Sequence, residues 1–275
     1  MEHYMTNEKI DHYLKALENE ERAAATIEKY RRAILNFAAF LSGAAVTPET
    51  IRLWKDELHE RNYAPSTINT FLAALNGFFL FCGWSDCRAR FLKIQHRLFR
   101  DSRQELTRAE YERLVAVAET AGDRGLALLM ETICSTGIRV SEVRYITVEA
   151  AKNGKAEIAL KGKIRTILLP SKLCRKLLKF AARQKTASGA IFRAKSGNAM
   201  SRYQIWSKMK KLCERAGVDA EKVFPHNLRH LFATAFYRAY KDIVKLADVL
   251  GHSSIETTRI YLVTSAAEHR RQLER

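Results

Sequence analysis

Three short stretches of this chain hold residue types that, gathered together, could attack a phosphodiester. They are Gly137-Ile138-Arg139-Val140-Ser141-Glu142, Pro225-His226-Asn227-Leu228-Arg229-His230, and the run from Leu250-Gly251-His252 to Ile260-Tyr261. The guanidinium groups of Arg139 and Arg229 offer paired donors that match the non-bridging oxygens of a phosphate. His226 and His252 can donate hydrogen bonds or move protons. The Tyr261 hydroxyl can serve as a covalent nucleophile.

Each segment taken alone has a plainer reading. Arg139 precedes Glu142 by three residues and could be half of a surface ion pair. The two readings are compatible, because a carboxylate can fix a phosphate-binding arginine without occupying its whole fork. His226 and Arg229 share a helix face at their spacing. His226 and His230 also have a zinc-like spacing, but Asn227 stands where H-E-x-x-H needs glutamate and no third ligand suggests itself, so no metal is expected. His252 after Gly251 could be an inert group at a helix end, and Tyr261 between Ile260 and Leu262 could be a core tyrosine. Joint order and spacing argue against these plainer readings: Tyr261 follows His252 by nine residues.

The elements that must carry these residues are mostly helical. In the first hundred residues, Ile34, Phe37, Ala38 and Leu41 recur at helical spacing. Thr47-Pro48-Glu49 is a helix start with a hydroxyl cap and an early proline, and Pro65-Ser66 opens another helix. Four helices of this kind make a small bundle, with no strand candidate before residue 140. The apolar run Phe71 to Trp84, broken by Asn76, is shorter than the roughly 20 residues a bilayer requires and reads as a buried helix. Residues 96–106 hold three arginines without helical period and read as a basic linker. Thr107 and Glu110 form a capping box for the next helix, followed by helices through Leu114–Ala118 and Leu126–Cys134. The period then changes: 145–148, 157–160 and 164–169 read as a three-stranded antiparallel meander, with Asn153-Gly154 as a hairpin turn and Pro170 as its end. Helices resume at Ser171, at Ser201 with Gln204 as a capping box, over 226–240 and over 242–250. Ser253 with Glu256 is expected to cap the short helix that bears Tyr261. Arg139 would project from a turn where Gly137 ends a helix. The fold class expected is mainly α with a small antiparallel sheet. It comprises a helical bundle over 1–95, the basic linker 96–106, and an α+β domain over 107–275.

Charge points to the same partner class. The chain of 275 residues has a formal net charge of +17. Residues 1–100 carry 14 Lys and Arg against 12 Asp and Glu, whereas the remainder carries 33 against 18. An excess of that size on one domain favours a polyanion, through counterion release from a phosphate backbone. The five cysteines are odd in number and contain no C-x-x-C pair, so neither a disulfide framework nor a zinc cluster is suggested, and reduced thiols in the cytoplasm are expected. No charged segment leads into an apolar one at the N-terminus, so no signal peptide is expected.

Together, G-I-R-V-S-E, H-N-L-R-H and L-G-H-S with its following tyrosine resemble the catalytic boxes of the tyrosine recombinase (phage integrase) family. The resemblance spans nearly the whole chain, with the bundle resembling the family's core-binding (SAM-like) domain and the rest its catalytic domain. It implies a site-specific recombinase or integrase that cleaves and rejoins DNA in integration, excision or resolution. Arg139 and Arg229 would bind the scissile phosphate with His252 as a donor. Tyr261 would form a 3′-phosphotyrosyl link and release a 5′-hydroxyl. Lys163, at the hairpin turn, would protonate that oxygen, His226 would assist proton movement at the tyrosine, and Glu142 would support Arg139. The family's hairpin commonly reads G-K-G-x-K-x-R, and here Lys161-Gly162-Lys163-Ile164-Arg165 is one residue shorter. Lys163 rather than Lys161 keeps the two-residue step to Arg165. Leu231 replaces a threonine often found after the R-H pair, a change affecting packing only. The resemblance also implies no metal, ATP or other cofactor, double-stranded recombination sites as partner, and a free monomer that forms a tetramer on synapsed DNA. The two-domain layout is Xer-like and shared with simpler mobile-element integrases.

Three rivals make different demands. A type IB topoisomerase tends to carry lysine where His226 stands. A DNA-binding protein that had lost catalysis would lack Tyr261 or an arginine. An RNA-binding helical protein would be expected to show stacking-aromatic motifs, and none is evident.

Overall fold

The structure is a computed structural model that describes residues 2–94, 104–160, 163–252 and 254–261, apart from the side chains of 160, 163 and 164. The chain divides into two compact units, Met1–His96 and Arg97–Arg275. Of the linker expected over 96–106, residues 96–103 lie outside the described residues. Leu106, at its far end, is already core of the second unit.

The first unit is built from α1 (Asn7–Asn19), α2 (Ala24–Leu41), α3 (Pro48–Glu60) and α4 (Pro65–Phe81). Thr47 caps α3 by accepting from the Thr50 backbone, with Pro48 in the first turn where its missing N–H costs nothing. The apolar stripes meet in a core of Ile34, Phe37, Trp54, Leu72, Leu75 and Phe78. Trp54 is fully buried and donates its indole N–H to Asn36 Oδ1 at 3.0 Å. Truncating such an aromatic costs about 3–5 kcal/mol. The asparagine that interrupts the apolar run has a use: Asn76 exchanges two hydrogen bonds with the Ala89 backbone, at 2.9 and 2.8 Å. Asn69, two turns earlier, does the same with Leu92 at 2.9 and 2.8 Å. The two amides thereby fix the extended segment that leaves the bundle.

In the second unit the helices are α5 (Arg108–Thr120), α6 (Arg124–Thr136), α7 (Val148–Asn153), α8 (Ser171–Arg183), α9 (Arg202–Lys210), α10 (Cys213–Ala216), α11 (Pro225–Tyr240), α12 (Ile243–Leu250) and α13 (Ile255–Arg259). Strands β1 (Lys155–Leu160) and β2 (Lys163–Leu168) lie between α7 and α8. Both expected capping boxes are present, Thr107 with Glu110 and Ser201 with Gln204. Leu114, Leu129, Ile133, Leu177, Ile205, Met209 and Leu228 are central to the core, and Leu231 packs against it.

The sheet corrects the expected meander. It has two antiparallel strands, not three. Val140–Tyr145 is a 3-10 turn, and Thr147 opens helix α7 by accepting from Ala150 N. Asn153-Gly154 is the C-terminal cap of that helix, with Gly154 at φ 69, rather than a hairpin turn. Both structures need a residue of positive φ, so the dipeptide alone could not separate them. Pairing of Leu160 with Lys163 makes Lys163 the first strand residue of β2, not a turn residue, and leaves Lys161 and Gly162 between the strands. A second correction concerns α13: its cap is Ser254, which accepts from Glu256 N, while Ser253 lies outside the described residues. All five cysteines are free thiols. Among the described residues, no helix is long and apolar enough to cross a membrane.

Candidate active site

The C-terminal end of α12 organises the site. Gly251 closes this helix at φ 62, and the His252 N–H returns to Ala247 O at 3.0 Å, the doubled-back cap that a glycine in the left-handed region permits. A helix end leaves carbonyls without intrahelical partners and carries partial negative charge. Here three consecutive carbonyls are taken by three arginines from three other elements. Arg165 of β2 donates to Val249 O at 2.9 Å, Arg229 of α11 to Leu250 O at 2.8 Å, and Arg139 to Gly251 O at 3.1 Å. The helix end therefore works as a rack that sets the spacing of the cations.

Glu142 fixes them from the other side. It is 2 % exposed, and its carboxylate accepts from the Arg139 backbone N–H and from Arg139 Nη1, both at 2.9 Å. It accepts from Arg165 Nη1 at 3.2 Å as well. The Arg139 side chain keeps 40 % of its surface exposed, so part of its fork faces solvent. Arg229, 2 % exposed, also donates to Gly137 O, the cap of α6. Gly137 is required there: its φ is 64, and a Cβ would overlap Phe232 and Leu250. Burial and the neighbouring Arg139 charge lower the Arg229 pKa, while Tyr261 works in the opposite direction. With three arginines against one carboxylate, the site holds a net positive charge suited to an anion.

This field favours the neutral form of both His226 and His252. Burial, then the charges of Arg229, Arg139 and Arg165, push the His252 pKa down to about 4. Arg229 Nη2 lies 2.9 Å from His252 Nε2. Arginine can only donate, so Nε2 is the acceptor and the proton sits on Nδ1, which donates to Thr258 Oγ1 at 2.9 Å. His226, in the first turn of α11, is solvent-exposed on one side. Its pKa is also lowered, by desolvation on its protein side and by Arg229 and Arg139.

Tyr261 follows α13 and is 4 % exposed, packed with Ala233, Leu246 and Leu250. Its N–H returns to Thr258 O at 3.0 Å. Its ring lies 6.2 Å from that of His252, nearly parallel, and 4.9 Å from that of His230. The structure thus brings Arg139, Glu142, Arg229, His252 and Tyr261 together, with His226 beside them on the wall of one cleft. That cleft, of about 630 Å³, is lined by Arg139, His226 and Arg229 together with the aromatic pair Tyr203 and Trp206. The Lys163 side chain and the whole of Lys161 lie outside the described residues.

Sequence reasoning assigned no role to two members of this arrangement. Arg165 carried a signal, being a charged residue in phase with the buried Ile167 and Leu169 of its strand. Thr258 carried only its spacing, six residues after His252 and three before Tyr261. As for metals, the one grouping of potential ligands among the described residues is His3, Asp86 and Cys87 in the first unit. His3 Nε2 there already bonds Asp86 at 2.9 Å.

Comparison with known proteins gives a consistent picture. Residues 104–268 match the phage integrase family, and residues 10–85 match the N-terminal SAM-like domain of phage integrases. The chain is 29 % identical to tyrosine recombinase XerA of Pyrococcus furiosus, covering 98 % of this chain and 94 % of the relative. It is 30 % identical to tyrosine recombinase XerD of Brucella suis, covering 92 % and 91 %. Among solved structures, a lambda integrase dimer bound to a COC′ core site has a TM-score of 0.76 at 18 % identity, covering 95 % of each chain. XerH site-specific recombinase in a pre-cleavage complex with difH substrate has a TM-score of 0.70 at 20 % identity, covering 98 % of this chain and 85 % of the other.

Proposed function

The chain belongs to the phage integrase family of tyrosine recombinases, and we propose that its strand cleavage is carried by Tyr261, Arg139, Arg229, His252, His226 and Lys163, with Glu142 in support. It is a site-specific recombinase that cleaves and rejoins double-stranded DNA. The observation that carries the assignment of residues is the convergence of Tyr261, His252 and two arginines on one helix end within a single chain.

The chemistry follows from that arrangement. Arg139 and Arg229 bind the non-bridging oxygens of the scissile phosphate, where charge gathers as the phosphorus becomes five-coordinate. The Tyr261 oxygen attacks phosphorus as its proton departs with the help of His226. The bond from phosphorus to the 5′-oxygen breaks, Lys163 protonates that oxygen, and a 3′-phosphotyrosyl link remains. One phosphodiester bond is exchanged for another, so the reverse attack by a 5′-hydroxyl rejoins a strand without ATP. The cationic side chains supply the charge stabilisation that a metal supplies elsewhere. Tyr261 is 4 % exposed, and the attack requires its hydroxyl to face the bound phosphate. The protein acts in the cytoplasm as a monomer that assembles into a tetramer on paired sites.

Incubation with a nicked recombination-site duplex tests this reading. A covalent adduct that survives denaturant forms in EDTA, and Tyr261→Phe abolishes it while leaving DNA binding nearly intact. An adduct that persists in the phenylalanine variant refutes the assignment.

A further inference from the structure

We propose that Arg165 is a positioning residue that couples the leaving-group acid on β2 to the phosphate clamp. The inference rests on the assignment of Lys163 above. Arg165 is an unusual strand residue. Its side chain is 14 % exposed, and burial, partly offset by Glu142, lowers its pKa to about 10. A long cation is rarely buried without a purpose, because desolvation costs several kcal/mol for each ion.

Its contacts all lead to the site. Nη1 meets Glu142, the carboxylate that orients Arg139, and Nη2 donates to Val249 O, 84 residues away in sequence. The flat guanidinium lies directly over Gly251, where a Cβ would overlap Arg165 Cδ and Nε. Gly251 therefore serves twice, closing α12 and admitting Arg165. Arg165 occupies the inward phase of β2 with Ile167, and Lys163 is two residues earlier on the same strand, its backbone paired with Leu160. Two residues of strand span about 7 Å. A tether at Arg165 thus holds the hairpin, one strand step from its turn, against the helix end that carries His252. The Tyr145 hydroxyl holds the other strand, donating to Ala159 O at 3.3 Å, so Arg165 is the contact that ties β2 itself to the helix end.

A merely structural role and a positioning role predict different kinetics. Arg165→Gln and Lys163→Ala are compared in single-turnover cleavage, once with a normal duplex and once with sulfur replacing the 5′-bridging oxygen. A thiolate leaves without protonation, so only defects in leaving-group protonation are relieved. Lys163→Ala is expected to slow the normal substrate about a hundredfold, within the range for general acid catalysis, and to recover on the sulfur substrate. Arg165→Gln is expected to lose roughly tenfold to a hundredfold and to recover largely as well. Arg165→Lys, which keeps one charged contact but not the fork, falls between wild type and glutamine. DNA affinity stays close to wild type in all three. If Lys163→Ala recovers and Arg165→Gln does not, the tether is refuted and Arg165 acts through Glu142 and Arg139. If Lys163→Ala itself shows no recovery, the assignment of Lys163 fails first. An Arg165→Gln variant as fast as wild type on the normal substrate also overturns the proposal.

Discussion

Replacing Thr258 by valine removes one hydroxyl and almost no volume, and it tests how His252 is set for catalysis. Thr258 is fully buried, and its Oγ1 is the partner of His252 Nδ1 at 2.9 Å. Arg229 donates to Nε2, which places the proton on Nδ1. To donate to a phosphate oxygen, the ring must carry its proton on Nε2 instead. A threonine hydroxyl suits both states, because it accepts from Nδ1–H in the first and donates to bare Nδ1 in the second. Valine suits neither. A buried nitrogen left without a partner costs about 1–3 kcal/mol, which lowers the melting temperature of a domain this size by about 2–4 °C per kcal/mol. Loss of one preorganised donor slows reaction by about 10²–10³, and the valine variant retains the ring, so a deficit of about tenfold to a hundredfold is expected. Thr258→Ser keeps the hydroxyl and is expected to cleave within about threefold of wild type. Single-turnover adduct formation and thermal unfolding measure both effects. A valine variant that cleaves as fast as the serine variant refutes the proton-switching role of Thr258.

Two further outcomes follow from charge. The folded-state pKa of His252 is depressed to about 4, below the unfolded value of about 6.5. The stability it contributes is therefore complete above about 6.5 and is lost as pH falls toward 4, because only the unfolded chain takes up the proton early. Urea unfolding between these pH values should show the loss, and His252→Gln should flatten it; an unchanged slope counts against the buried neutral ring. The basic second unit implies DNA affinity that falls steeply with salt, with a log–log slope equivalent to roughly six or more phosphates. A flat salt dependence counts against this picture, as does a catalytic unit alone that binds as tightly as the whole chain.

The parts of the site that were legible in the sequence are those whose chemistry is local. Gly137 before Arg139 and His226 three residues from Arg229 could be read from spacing, because caps and helix faces act over three or four residues, whereas Tyr261, nine residues after His252, stands out through the resemblance to the recombinase boxes. The bundle helices were legible for the same reason, through proline and threonine at their starts. The first expected strand failed because β-branched residues at 146–148 fit both a strand and the approach to a short helix, and Thr147 capping decided for the helix. In the sequence Arg165 shows only as a motif position, because its partners lie 23 and 84 residues away. No local pattern encodes a contact of that kind.

The helix end explains how the cations can be assembled before DNA arrives. Burial lowers the pKa of Arg165 and of Arg229, and repulsion from the neighbouring arginines adds to it. A row of carboxylates could neutralise them, but it would also compete with a phosphate for the same donors. Backbone carbonyls of Val249, Leu250 and Gly251 take one donor from each arginine and contribute only partial charge. Among the described residues, Glu142 is the carboxylate that pairs with these arginines, and it is buried behind the clamp rather than lining the cleft. The remaining positive charge suits the scissile phosphate proposed as the ligand of this site. Electrostatic preorganisation of this kind stabilises the transition state without reorienting the donors during the reaction.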